Sequence, residues 1–485
     1  MKTSIAAVRR GQSDGGRREG AAARILDGLR KFLETDGMKV KAGPKEFADF
    51  ETELHARLME VEREVVGAVM AEADVEAEVI EVEGRTLRRG IRSAETYMTA
   101  AGPVRVERYL HRDRADPGAQ AVVAMDLKLG VVDGFWTPLA AKQAAWVVTQ
   151  MTPSTAAELF VRVGNMRPSK ASLDRLPKTL SDRWEEDRAE HEAALREALV
   201  VPEGTVTVAV SIDGVMAPME GTNPVAKRAE TASRGRVAKG PTGYQEIGCA
   251  TLSFCDKDGE MLAAVRMARA PEPKKATLKS MVFAELAAVL KAAPGLRVAK
   301  IADAGGDNFA FLSKHLPEGE EILDFFHATE HLHGALGEAY GDGTLRARQA
   351  FERLRLTLLE DEKGVAKVIE SVRYLRTKHP RNARLKTELA YFRKNRHRMR
   401  YAAWKRAGIP IGSGVVEAAC KTLVAQRLKL SGMRWGKRGA QAILTLRGWD
   451  QSERFDLAWA RLAATYHHEV HVVANVVPID RNARK

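Results

Sequence analysis

Hydrophobic positions along the 485-residue chain change period several times, and each change predicts an element. From Phe47 onward, Phe50, Leu54, Leu58, Val61, Val65 and Val69 recur every three or four positions, which predicts an amphipathic helix. Its apolar stripe serves either packing on its own domain or self-association. Residues 101–110 (AGPVRVERYL) alternate as a strand expected to form a hairpin with a neighbour. Three helical stretches follow at 138–151, 154–163 and 169–176, with Pro138 suited to a first turn and Ser154 and Ser169 to N-caps. Gly164 and Asn165 permit a sharp turn before the third. A three-helix unit with a short Gly-containing turn fits a helix-turn-helix, with Lys170, Ser172 and Arg175 on the reading helix. Residues 181–198 carry mixed charge and are expected to form a solvated spacer helix.

At Gly204 the period switches to two. Residues 205–213 (TVTVAVSID) place Val206, Val208, Val210 and Ile212 on one face, with Asp213 ending the strand on the other. Residues 244–255 and 261–269 read as strands joined by a turn from Asp256 to Gly259. A helix over 277–292, capped by Thr277, would turn Leu278, Met281, Val282, Leu286 and Leu290 to the core. A short strand over 297–302 ends at Asp303, followed by a helix over 307–316 and a strand over 321–326. That order specifies an α/β fold, a mixed sheet with a three-stranded meander on one side. Nearly continuous helix follows from His327 to Lys405, and after the breaker IPIGSG the chain is helical again from Val415 to Lys429.

These changes divide the chain into a flexible basic arm (1–45), a mainly helical and hairpin region with the helix-turn-helix-like unit (46–200), a first part of the sheet core (201–332), a basic helical insertion (333–408), a last part of the core (409–455) and a C-terminal helix and tail (456–485). The 45% of hydrophobic and 29% of charged residues are ordinary for a globular protein. The formal net charge of +13 favours an anionic partner, nucleic acid above all. Residues 341–450 hold 26 Lys/Arg against 9 Asp/Glu, which leaves the remainder slightly acidic. The run 373–406 is densest, including Arg393, Lys394, Arg396, Arg398 and Arg400 against the single acid Glu388, and reads as a phosphate-tracking surface rather than a solvated face. Cys249, Cys255 and Cys420 form no CxxC pair, which argues against a zinc ribbon or disulfide scaffold and suggests small buried hydrophobes. The N-terminal apolar run is too short for a signal-peptide core, and no stretch reaches membrane-span length, so a soluble cytoplasmic protein is expected.

Asp213 and Asp303 close parallel strands, and Glu417 opens the helix after Gly412-Ser413-Gly414. Ligands of open α/β sheets bind in the crevice at such strand ends. Three carboxylates converging there would repel one another, and two Mg²⁺ (or Mn²⁺) ions per site would resolve the repulsion and suit phosphoryl displacement.

On SIDGV (211–215), IADAG (301–305), DFFHATEHL (324–332) and GSGVVEAACK…RLKLSGMRWGKRGAQAILTLR (412–447), the chain resembles bacterial insertion-sequence DDE transposases, the Mutator-like and ISKra-type groups. Their RNase H-like core is split by a helical insertion, and the resemblance spans about residues 205–450. It implies that Asp213, Asp303 and Glu417 are the metal-binding triad of a DNA-cleaving and strand-transferring enzyme. That enzyme would act on double-stranded terminal repeats and target DNA as a homodimer or larger complex. The family's second motif is more commonly GDGA; ADAG keeps the Asp in an altered setting, with Asp307 as the competing acid. Asp324 and His327 match a D-x-x-H motif placed beside the active site in relatives, a supporting role. Trp435 would stack on an extruded base or pack on the insertion, while Arg427, Arg434, Lys437 and Arg438 would hold backbone phosphate.

Two rivals accompany this reading. One is a domesticated relative that binds DNA without cutting it. The other is a zinc peptidase, because His327-Ala-Thr-Glu330-His331 fits H-x-x-E-H, with Glu388 or Glu417 as third ligand and His333 as a decoy. The second explains neither the basic region nor the strand-end acids.

Overall fold

A computed structural model of the chain describes residues 26–473 apart from 38, 40, 42, 117, 165, 222–242 and 305. Most of the expected flexible arm, and Asn165 of the expected turn, lie outside the described residues. Residues 26–37 of that arm are helical: α1 covers 26–32 and runs into a π-turn at Leu33–Gly37, with Phe32 stacked on Phe50 at 6.0 Å. The protein divides into two compact units, Met1–Thr179 with Trp459–Lys485, and Leu180–Ala458. Among the described residues, no helix is long and apolar enough to cross a membrane.

In the first unit, α2 (Pro44–Ala73) precedes β1 (Val79–Val82), β2 (Arg85–Thr99), β3 (Gly102–Asp113) and β4 (Val122–Val123). Glu83 and Gly84, both at positive φ, form the two-residue turn that joins β1 to β2 with the twist a hairpin needs. The expected strand at 101–110 lies within β3 and pairs with β2. Helix α2 buries Met70 against Tyr97, Val104 and Val106, with Val66 and Ala73 beside it. Leu58, Val65 and Val69 of the predicted stripe remain exposed, so the packed seam is rotated from the one the period suggested. After α3 (Ala124–Leu129) come α4 (Pro138–Gln150), α5 (Pro153–Val163) and α6 (Lys170–Glu186). Pro138 opens α4 as expected, and the Ser169 hydroxyl accepts from the Ser172 amide at 3.0 Å. Thr152 rather than Ser154 caps α5, because Pro153 takes the first helical position.

The second unit starts within α6 and continues through α7 (Arg188–Glu197). The expected solvated spacer is instead packed. Trp184 is 2% exposed, its ring 4.5 Å from Trp449 and 4.7 Å from His191, and Glu185 pairs with Arg269. A mixed-charge sequence hides this because its apolar anchors, Trp184 and Leu195, are few and far apart.

The sheet that follows has β5 (Thr207–Pro218), β6 (Tyr244–Cys255), β7 (Met261–Arg269), β8 (Arg297–Ala302) and β9 (Glu320–Leu323) in the order β7-β6-β5-β8-β9. The first three form an antiparallel meander, and β8 and β9 run parallel to β5. The two crossovers are α8 (Ala276–Ala292) and α9 (Gly306–His315). Thr277 does not cap α8; Glu272 accepts from the Leu278 amide at 2.9 Å. The last strand is shorter than expected, since Asp324 turns the chain into α10 (Phe325–Tyr340).

The helical stretch after β9 is four separate helices, α10, α11 (Leu345–Glu360), α12 (Gly364–Lys378) and α13 (Ala383–Asn395), each against the next and α13 against α10. A short α14 (Tyr401–Arg406) ties the bundle to the sheet edge: the Tyr401 hydroxyl donates to the Leu323 carbonyl at 2.9 Å and the Trp404 indole to Glu320 at 3.0 Å. Helix α15 (Gly414–Ala419) passes into a π-turn at Cys420–Ala425, and α16 (Lys437–Gln451) and α17 (Phe455–Ala464) follow. The segment after α17 ends in β10 (His471–Val472), which pairs with β1 in the first unit, a return invisible to the sequence pattern.

Trp184→Ala should lower unfolding stability by about 3–5 kcal/mol, as for buried aromatic truncations. A urea titration showing a change within about 0.5 kcal/mol, the surface-substitution range, would restore the solvated spacer.

Candidate active site

Register builds the site. In β5 and β8 the last paired residues are Ser211 and Ile301, and in β8 and β9 they are Ala302 and Leu323. Two residues past the first pair lie Asp213 and Asp303; one past the second lie Asp303 and Asp324. Three aspartates therefore stand at one level across adjacent parallel strands. Asp213 does not end its strand, because β6 continues to pair with β5 as far as Pro218. It sits where the parallel pairing stops and the antiparallel arm runs on.

Each acid is held differently. The Asp213 carboxyl is pushed above the usual carboxylate range, chiefly by burial and further by Asp303, with the Gly214 amide opposing. The Cys420 thiol lies 3.8 Å from Asp213 Oδ2. A hydrogen bond with Cys249 and burial push that thiol far up, so it stays neutral and donates. Lys275, in a left-handed backbone conformation, donates to the Asp213 carbonyl at 3.2 Å and pairs with Glu246 at 3.1 Å. Asn308 Nδ2 is 3.3 Å from Asp303 Oδ1 and 3.2 Å from the Ile212 carbonyl, fastening the two strand ends together. Lys275, Glu246 and Asn308 lie in no motif, and Cys420, within GSGVVEAACK, has no role assigned by it; only the fold brings the four here.

Asp324 is 1% exposed and works as a splice. One oxygen accepts from the His327 amide at 2.7 Å, capping α10, and the other from the Ser413 amide. The Phe325 amide donates to the Ile411 carbonyl at 3.1 Å. These bonds fix the Gly412-Ser413-Gly414 turn, and hence the start of α15, beside the strand ends. Glu417 lies in the first turn of α15, exposed, and accepts from the Ser413 hydroxyl at 2.9 Å.

The side chains themselves indicate whether a divalent cation suits this place. Asp213 and Asp303 offer hard oxygen donors that repel each other, the charge arrangement a cation relieves. Among the described residues the buried Tyr391 hydroxyl has no hydrogen-bond partner, and burial followed by Asp303, Glu388 and Asp324 resists its ionisation. Both features fit a cation held by the two aspartates. Glu417 stands apart as arranged, and among the described residues no three His, Cys, Asp or Glu side chains are grouped to hold a metal.

The H-x-x-E-H residues take other duties. His331 Nδ1 lies 2.6 Å from buried Glu388, and its ring stacks on Tyr391 at 3.6 Å. His327 faces exposed Glu330 at 3.5 Å, and His333 packs edge-on against Phe351.

Among the basic candidates, Arg393, Lys394, Arg396, Arg400, Arg434 and Lys437 are exposed, as is Lys170 in the first unit. Four others are already engaged. Arg175 pairs with Asp133 at 2.7 Å and Arg438 with Asp182 at 2.5 Å. Arg398 pairs with Glu321 at 2.8 Å and lies over the Phe309 ring, 4.0 Å from its centroid. Arg427 is 1% exposed beneath Trp435, so it is a core residue rather than a phosphate contact. Trp435 itself is packed: its indole donates to the Leu428 carbonyl at 3.1 Å, and its backbone bridges Pro218 and Glu220.

Because its proton is held more tightly in the folded than in the unfolded chain, ionised Asp213 costs stability as pH rises through its raised folded value. In chelator at neutral pH, Asp213→Asn should therefore raise the melting temperature, and the gain should shrink on acidification. A lower melting temperature at neutral pH would mean that the carboxylate is compensated by its neighbours.

No protein-family model and no curated protein matches this chain, so the site stands on its own geometry.

Proposed function

We propose that the protein is a DDE-type transposase that binds terminal DNA repeats, hydrolyses their 3′ ends and transfers them to target DNA. The observation that carries this reading is the common level of Asp213 and Asp303 just past the last parallel pair of β5 and β8, with the Glu417 helix spliced beside them through Asp324. Strand order supports it. An antiparallel meander followed by two parallel strands is the arrangement of an RNase H-like core, and the four-helix bundle falls where the resemblance expects an insertion.

In this scheme Asp213 and Asp303 would hold Mg²⁺ or Mn²⁺, which when bound supplies Lewis acidity to a phosphodiester and its attacking oxygen. Water attacks phosphorus and the bond to the 3′ oxygen breaks; the freed 3′-hydroxyl then attacks a target phosphodiester, whose own 3′ oxygen leaves as the new bond forms. Glu417, exposed and hydrogen-bonded to Ser413, is the acid available to take the attacking group's proton. Lys275 and the Cys420 thiol fix the Asp213 backbone and carboxylate, and Asn308 fixes Asp303. Asp324 positions Glu417 without touching substrate. Arg393, Lys394, Arg396 and Arg400 form the exposed basic run that would track phosphate.

Purified protein incubated with DNA spanning the flanks of its own gene should nick one defined position, with Mg²⁺ or Mn²⁺ and not with EDTA. Asp213→Asn, Asp303→Asn and Glu417→Gln should each reduce nicking to background while leaving duplex binding within about twofold, a change worth under ~0.5 kcal/mol. Loss of binding in these variants would make the acids structural, and wild-type binding with no cutting would favour the domesticated reading. Charge reversal at Arg393, Lys394, Arg396 and Arg400 together should flatten the salt dependence of duplex affinity by about 0.9 log units for each phosphate no longer neutralised. Arg398→Ala should instead destabilise the fold and leave the salt slope unchanged, since its partner is Glu321.

A further inference from the structure

A groove of about 690 Å³ runs between α8 and α9, within the roughly 300–1,000 Å³ of small-ligand sites. Its walls are the outward stripes of the two crossover helices. Lys279 and Phe283 lie one turn apart on α8, and Asp307, Phe311 and Lys314 share a face of α9. Lys274, in a left-handed conformation just before α8, lines the same groove. Phe283 is 50% exposed, although a large ring on a crossover helix is ordinarily packed. Phe311 is buried, with the Lys279 ammonium 5.7 Å from its ring centroid. Among the described residues, Lys274, Lys279 and Lys314 have no acidic partner, and Asp307 is the one acid on the walls.

We infer that this groove binds an unpaired DNA strand, with a base stacked on Phe283 and its phosphates beside Lys274, Lys279 and Lys314. An exposed ring flanked by unpaired lysines is the pairing that single-stranded nucleic acid uses, because each base offers a π-face and each linkage an anion. A duplex keeps its base faces covered and gains nothing from the ring. One end of the groove adjoins, along the chain, the residues that hold the acids in place. Lys274 precedes Lys275, which donates to the Asp213 carbonyl, and Asp307 precedes Asn308, which bonds Asp303. A strand opened next to a scissile phosphate would therefore enter the groove beside the residues that fasten Asp213 and Asp303. The inference rests on the proposed DNA-cutting role and adds the form of DNA that lies beside the cut.

Fluorescence anisotropy with a labelled oligothymidylate, and separately with its duplex, tests it on the full chain in EDTA. The wild type should bind the single strand. Phe283→Ala should weaken that binding about tenfold, equivalent to ~1.4 kcal/mol and inside the range for one stacked base, and should leave duplex affinity unchanged. Lys279→Gln with Lys314→Gln should lower the single-strand salt slope by about 0.7 for each phosphate no longer neutralised. Phe283→Leu separates stacking from simple apolarity, and its affinity should fall with that of Phe283→Ala. Unchanged affinity in all three variants, or duplex binding with no single-strand binding, would overturn the groove and leave the transposase reading standing. Binding of neither form would overturn both.

Discussion

Pairing of β5 with β8 stops at Ser211 and Ile301, and the chemistry at the sheet end depends on where it stops. A parallel register slipped by one residue would turn Asp213 and Asp303 to opposite faces, since side chains alternate along a strand. The register is secured from both sides. Val208, Val210 and Ile212 of β5, with Val298 and Ile301 of β8, are buried in one core with Leu278, Val282 and Leu286 of α8 and Phe309 and Leu312 of α9. At the end of the strands Asn308 ties the Ile212 carbonyl to Asp303, so the level of the two acids is set by hydrophobic burial and locked by one amide.

That frame accounts for a stability cost concentrated at Asp213. A carboxylate half removed from water, facing a second carboxylate, is disfavoured in its charged form, and the compensation is local and partial: the Gly214 amide and the Lys275 ammonium lower its pKa. Functional groups are commonly held in this way, with burial in the free protein setting up an affinity for whatever neutralises them. Asp324 presents the opposite case, for it is buried deeper yet saturated by two backbone amides, and its task is to join α10 to the turn before α15.

Much of this was legible in the sequence and some was not, for identifiable reasons. Strict alternation in TVTVAVSID and the short run RVAKIA gave β5 and β8, and the acids after them marked the sheet end. The length of β5 beyond Asp213 was hidden because it depends on pairing with β6, a long-range partner. Charge was harder still. A basic run counts as free only when no acid reaches it from elsewhere, and Glu321, Glu338 and Glu362 come from outside the run to pair with Arg398, Arg384 and Arg406. Arg427 and Trp435, which look like a nucleic-acid contact in SGMRWGKRG and its approach, instead pack on each other. Cys420 sits within GSGVVEAACK yet reads only as a small hydrophobe, because a cysteine outside a pair shows no chemistry until the fold sets its thiol against Asp213.

Crystals of the protein soaked in manganese and measured at the manganese absorption edge address the central claim without requiring a DNA substrate. An anomalous peak in contact with the carboxylates of Asp213 and Asp303, absent in Asp213→Asn, is the expected result. Manganese bound instead at His327, His331 and Glu388, or a peak that persists unchanged in the Asp213→Asn crystal, would contradict a metal-dependent site at the ends of the parallel strands.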